Sequence, residues 1–188
     1  KTAYEILSGL VGSEMCIRDS NKYFIEKGIL EENLAVVSPD EGSIKRAIGH
    51  VRRLGGKLAI VDKRRASALK TTQENLIGGP IDGRVALMFD DMISTAGSIC
   101  GAAELVKRAG ASEIHVAATH GVFCGPALER LKESPITSVI VTDTIPLGAA
   151  AQISKIKQLT VAPLLAEAIK RVHHDQSISD IFADYEPE

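Results

Sequence analysis

Five short apolar runs, each closing on polar residues and separated by segments of helical spacing, constrain this chain more than any other feature. They lie in NLAVVSPD, KLAIVDK, RVALMFDD, SEIHVAATHG and TSVIVTDTIP. Runs of this length suit buried strands and are too short for ordinary helices. Between them, GSIKRAIGHVRRLGG places Ile44, Ala47, Ile48, Val51 and Leu54 on one helical face and stops at a glycine pair. Ile99, Ala102, Ala103 and Val106 recur at the same spacing until Gly110. Pro126 opens a short helix in PALERLKES, and PLLAEAIKRVHH sets Leu165, Ala168, Ile169 and Val172 in register. Strands separated by helices of this length pair in parallel through right-handed crossovers. The expected fold is α/β, an open mostly parallel sheet flanked by helices.

In such sheets ligands sit beyond the carboxyl ends of the strands. The residues expected at that edge are Asp40, Asp62 with Lys63, Asp90 with Asp91, His120, and Asp143. Any one of them is explained by strand ends meeting water; the set outlines a site. Within FDDMISTAGSI, Asp90 and Asp91 form an acidic turn after the strand. They can accept hydrogen bonds from vicinal hydroxyls or hold a hydrated divalent metal. Ser94, Thr95, Ala96, Gly97 and Ser98 then open a helix, where aligned N–H groups and the helix dipole favour a phosphate. Together these features measure a pentose 5-phosphate, although an ordinary capped helix after an ordinary strand has the same local pattern. Residues 63–80, KRRASALKTTQENLIGGP, show neither helical nor alternating period and read as one long functional or loose loop.

At 188 residues, with 45% apolar and 24% charged residues, the chain has the makings of one globular domain. A net charge of −2 gives no reason to expect nucleic acid or an anionic membrane as a partner. No apolar run approaches the roughly 20 residues of a membrane span and no secretory signal is evident, so a cytoplasmic protein is expected. Cys16, Cys100 and Cys124 are odd in number and widely spaced, which suits structural or incidental thiols. His173 and His174 suit a helix C-terminus. Residues 1–20 do not fit the pattern. The stretch LVGSEMCIRD is similar to what results when a sequencing adapter is read as coding DNA, and the chain starts without methionine. Residues 1–20 are therefore expected to be non-native, with the native domain spanning 21–188 of a longer protein.

FDDMISTAGSI resembles the ribose-5-phosphate loop of the type I phosphoribosyltransferase fold. With VVSPDEGSIKRA, AIVDKRR, ATHGVFCGPALERL, VTDTIPL and VAPLLAEAIKRVHHDQSIS in the same order, the chain is similar to the ribose-phosphate pyrophosphokinase family. That resemblance implies transfer of the diphosphoryl group of ATP to ribose 5-phosphate, with Mg2+, giving phosphoribosyl diphosphate and AMP.

By position, the resemblance implies that Lys63 and Arg65 are the catalytic cations and Asp40 the magnesium-associated carboxylate. Two cations on a loop that closes late stabilise the transferred charge mainly in the transition state. Asp90, Asp91 and the run Ser94, Thr95, Ala96, Gly97, Ser98 become the ribose-phosphate contacts. Ser94 stands where many relatives have aspartate, so a backbone contact is expected there. His120 of ATHG reads as structural. Ser177 and Ser179 resemble contacts to a regulatory phosphate, or cap a short terminal helix. The family also implies a homo-oligomer in the full-length protein and an N-terminal domain holding most of the ATP pocket, whose motifs this chain does not match. A fragment with the sugar-phosphate half-site is expected to be inactive alone. The alternatives are a phosphoribosyltransferase, which would need a base-recognition hood, and a non-catalytic synthase-associated regulatory subunit or sensor.

Overall fold

Parallel pairing does dominate. The computed structural model describes residues 15–29, 31–64, 73–178 and 181, with the elements α1 (Met15–Glu26), β1 (Leu34–Ser38), α2 (Ile44–Leu54), β2 (Lys57–Arg64), β3 (Gln73–Gly78), β4 (Val85–Ile93), α3 (Gly97–Arg108), β5 (Glu113–Gly121), α4 (Ala127–Glu133), β6 (Ser138–Thr142), β7 (Ile156–Leu159) and α5 (Ala162–His173). Seven strands form one sheet in the order β3-β2-β1-β4-β5-β6-β7. Every neighbouring pair is parallel except β2 with β3.

The central strands read as continuous apolar runs because both faces are covered. Val37, Met88, Val116 and Val139 point to one face and pack with Ile99, Ala102, Ala103 and Val106 of α3 and Leu131 of α4. Val36, Leu87, Ala117 and Ile140 point to the other and meet Phe24 of α1 and Ala47 of α2. The apolar face expected of α3 is thus buried as read. At its end Gly110 adopts φ +92, and a Cβ there would stand 2.2 Å from Asp82 Oδ1, so the close approach of the β3–β4 connection requires glycine.

Two expectations need correction. The stretch 63–80 is not one irregular loop: β2 runs on to Arg64, and β3 returns antiparallel, pairing Asp62 with Asn75 and Lys63 with Glu74. Residues 65–72 lie outside the described residues. The return strand is hidden in the sequence because, as an edge, it leaves Asn75 and Ile77 exposed and only Leu76 partly packed on the core. The other edge, β7, is similarly short and half exposed. The expected face of α5 is also displaced. Leu164 and Ala168 are buried with Val161 and Ile181, whereas Ile169 and Val172 are 69% and 60% exposed. Helical spacing fits both stripes, and packing against Val161 and Ile181 selects between them.

Leu164→Ala is therefore expected to cost about 2 kcal/mol or more, and Ile169→Ala less than about 0.5 kcal/mol, in chemical denaturation.

Candidate functional site

The order of strands around β1 creates a crevice. The chain goes from β1 to β2 on one side and then crosses to β4 on the other, so β1 is where the winding reverses. Pairing of β1 with β4 stops at Val37–Met88, yet β4 continues beside β5 through Ile93–Gly121. The end of β4 therefore overhangs a strand that has already stopped.

Asp90 and Asp91 sit on that overhang, within the strand and not in a turn after it. Arg46 of α2 closes the gap from the other side. Its Nη1 donates to Asp90 Oδ1 at 3.0 Å, and Nη2 lies 3.7 Å from Asp91 Oδ2. Asp90 Oδ1 also accepts the Asp91 amide, and Asp91 Oδ1 accepts the Met92 amide, each at 2.9 Å. Burial, then the hydrogen bond with the Asp91 side chain, pushes the Asp90 carboxyl up to about 6, against the opposing pull of Arg46. The Asp91 carboxyl is lowered, first by that same hydrogen bond and then by Arg46. The pair thus holds one readily ionised carboxylate beside one that ionises late.

Asp40 follows β1 at the same edge. Its Oδ1 accepts the Ser43 amide at 2.9 Å and caps the 3-10 turn that leads into α2. Among the described residues no group of three His, Cys, Asp or Glu side chains converges as a metal site. A lone carboxylate still fits magnesium, which is commonly held by one or two carboxylates together with substrate phosphates.

The segment after β4 is shaped as a nest. Ala96 adopts φ 58 and ψ 7, a left-handed conformation that starts α3, while its methyl group is buried in the core. Left-handed residues next to right-handed ones turn successive amides toward a common point. Arg130 of α4 braces the turn by donating to the Thr95 carbonyl at 3.0 Å, and a Cβ on Gly97 would stand 3.1 Å from the same guanidinium. Carboxylates and nest thus follow one another directly along the chain, on an overhang and a helix start that share one edge.

The other expected residues divide. Lys63 lies in β2; from the registers Ser38–Ile60 and Val37–Met88 it stands level with Met92, two strands across, roughly 10 Å away at ordinary strand spacing. Arg65 and Ser179 lie outside the described residues. Ser177 offers its carbonyl to Arg171 at 3.0 Å. His120, expected to be structural, has its Nδ1 2.9 Å from Thr144 Oγ1, and that hydroxyl donates to the Thr119 carbonyl. Asp143 Oδ1 accepts the Val161 amide at the start of α5, and this carboxyl is lowered chiefly by the Thr160 hydroxyl. Asp62 is buried within β2 and does not end it. Cys100 is half-buried and its thiol pushed up by burial, while Cys124 is exposed.

Three contributors escape a reading of the sequence. Arg46 and Arg130 look like solvated helix charges until the helices are docked. His50 is fully buried; its Nδ1 donates to Asn21 Oδ1 at 2.7 Å, and its ring stacks on Phe89 with centroids 3.3 Å apart. Burial, with Arg53 and Arg46 nearby, holds it well below the usual histidine range, so it is neutral. The signal available for Arg46 is its place six residues after Asp40, near the start of the helix that leaves the strand end.

Comparison with known proteins follows the same lines. A family model described as the phosphoribosyl synthetase-associated domain matches residues 66–183. A ribose-phosphate pyrophosphokinase of Rhodopirellula baltica is 65% identical over 164 residues, covering 87% of this chain and 52% of that protein. One from Caldanaerobacter subterraneus subsp. tengcongensis is 50% identical, covering 86% and 50%. The crystal structure of phosphoribosylpyrophosphate synthetase from Mycobacterium smegmatis superposes with a TM-score of 0.76 at 34% identity, over 85% of this chain and 51% of that one. The chain spans about half the length of these relatives.

Because the Asp90 carboxyl is raised on folding from 3.8 to about 6, the folded state holds this proton more tightly than the unfolded chain. Its contribution to stability is present below the unfolded value and lost as pH rises through about 6. Asp90→Asn should therefore gain stability relative to the unaltered chain between about pH 4 and pH 8, by about 1–2 kcal/mol after solvent screening, in denaturation measured across that range.

Proposed function

Since the chain belongs to the family of the phosphoribosyl synthetase-associated domain, we propose that it is the sugar-phosphate half of a ribose-phosphate diphosphokinase. The full-length enzyme transfers the diphosphoryl group of ATP to ribose 5-phosphate, giving phosphoribosyl diphosphate and AMP. One observation carries this reading: two carboxylates and a backbone nest occupy residues 90–98 on one edge, at the point where the sheet reverses its winding. Carboxylates followed by a helix start suit a ligand with vicinal hydroxyls at one end and a phosphate at the other.

In this reading the 5-phosphate rests on the amides of Ser94 to Ser98, held there by the helix dipole. The ribose hydroxyls donate to Asp90 and Asp91. The anomeric oxygen then faces across β1 toward the end of β2, where Lys63 and, beyond the described residues, Arg65 are the proposed cations for the transferred group. The diphosphoryl group carries several negative charges, and cations that reach it only in the closed state favour the transition state over bound substrate. Asp40 would hold magnesium from the β1 side; when bound, the ion neutralises phosphate charge. Residues 21–188 make up the proposed family domain, with 1–20 outside it. A cytoplasmic homo-oligomer for the full-length protein, and a regulatory phosphate at Ser177 and Ser179, belong to the same proposal.

Calorimetric titration of the 188-residue chain with ribose 5-phosphate and magnesium tests it. Binding is expected, weakened at least about tenfold (~1.4 kcal/mol) by Asp90→Ala and changed less than about twofold by Lys63→Ala. The chain with ATP and ribose 5-phosphate should yield no AMP, and robust turnover would overturn the half-site. No binding by the unaltered chain would overturn the sugar-phosphate assignment.

A further inference from the structure

We propose that Arg46 is a positioning residue of the sugar site, setting Asp90 and Asp91 side by side so that together they read the sugar's vicinal hydroxyls. The inference rests on the proposed function and adds to it the residue that makes the carboxylate pair a pair.

Adjacent residues on an extended strand project to opposite faces of the sheet. Asp90 and Asp91 are adjacent and both lie in β4, yet a single guanidinium reaches both. This is possible only because β1 has ended beneath them, leaving room for a planar fork to enter from α2. Arginine suits this bridging role because its donors diverge in one plane and it stays charged, whereas an ammonium acts as a point charge. The grip is graded. The Arg46 side chain is 18% exposed, that of Asp90 22%, and that of Asp91 48%. The inner carboxylate is therefore held at hydrogen-bond distance, and the outer one, 3.7 Å from the guanidinium and bonded to the Met92 amide, leaves part of its surface open to solvent or ligand.

The base of the fork is also held. Arg46 is one turn from His50, whose stack on Phe89 joins α2 to the residue immediately before Asp90. The helix thus meets β4 twice, once through a ring and once through a charge. Ser43, whose amide is tied to Asp40, lies 3.5 Å from Arg46 Nη1 at the start of the same helix. The segment that leaves β1 consequently sets the cation, and the cation sets the carboxylates.

A residue that merely stabilised the fold would affect all ligands alike. Arg46 should instead govern discrimination between ribose 5-phosphate and 2-deoxyribose 5-phosphate, which share the phosphate and differ by one of the paired hydroxyls. The unaltered chain is expected to favour ribose 5-phosphate, because a site that hydrogen-bonds a hydroxyl penalises a ligand lacking it. In Arg46→Ala, ribose 5-phosphate should weaken at least about tenfold and the deoxy sugar much less, bringing the ratio of affinities toward one. Arg46→Lys, which keeps charge and bulk, should recover part of the affinity without the full ratio. It also serves as the second variant should the alanine form fold poorly, with circular dichroism as the check. An unchanged ratio in both variants, whether affinity is retained or lost equally for the two sugars, would overturn the role of Arg46 alone. If the unaltered chain binds neither sugar phosphate, the proposed function fails and the role of Arg46 falls with it.

Discussion

Strand β1 stops at Ser38 while β4, its neighbour, runs on to Ile93, and most of what is distinctive about the molecule depends on that mismatch. A strand hydrogen-bonded on only one side cannot be buried among apolar side chains without leaving its other edge unsatisfied. The overhanging end of β4 is accordingly polar, and the space above β1 is occupied by a cation from the helix that follows it. The reversal of winding at β1 then ensures that the connections diverge from this gap instead of covering it. Site and fold therefore have one origin, the unequal lengths of two adjacent strands.

The same gap explains why the acidic pair titrates asymmetrically. Asp90 faces inward toward Arg46, and burial outweighs the favourable charge, whereas Asp91 reaches solvent and its carboxyl is lowered, chiefly by the hydrogen bond with Asp90. A fold selected only for stability would have no use for a half-buried carboxyl that resists ionisation. Sites that bind charged or polar ligands commonly show this departure from the local rules, at a cost met by the rest of the core. Here that core is extensive, with both faces of β1, β4, β5 and β6 covered.

Much of the architecture was legible because buried parallel strands announce themselves. Val36, Leu87, Ala117 and Ile140 leave little alternative to a covered sheet, and the face of α3 was visible in Ile99, Ala102, Ala103 and Val106. Edge elements were not. Gln73–Gly78 and Ile156–Leu159 each satisfy one neighbour, and of their described side chains few are buried, so their hydrophobic signal is weak by construction. The site divided in the same manner. Asp90, Asp91 and the small residues after them are contiguous, and local chemistry sufficed to single them out. Arg46 and Arg130 act across 44 and 35 positions, and nothing in a linear pattern distinguishes a helix arginine that will meet a carboxylate from one that will meet water. For α5, two stripes of equal period competed, and only the contact with Val161 and Ile181 decided between them.

Ala96 shows what kind of surface the proposed phosphate end is. A left-handed alanine is costly, and glycine would take up the same backbone angles with less strain. The buried methyl group supplies what glycine could not, an anchor that packs the turn against the hydrophobic interior. The disorder that a looser turn would surrender on meeting an anion has thus already been surrendered when the chain folds. In the proposed reading, an anion settling here meets a smaller entropic penalty, and selectivity derives from a rigid mould instead of an adaptable one.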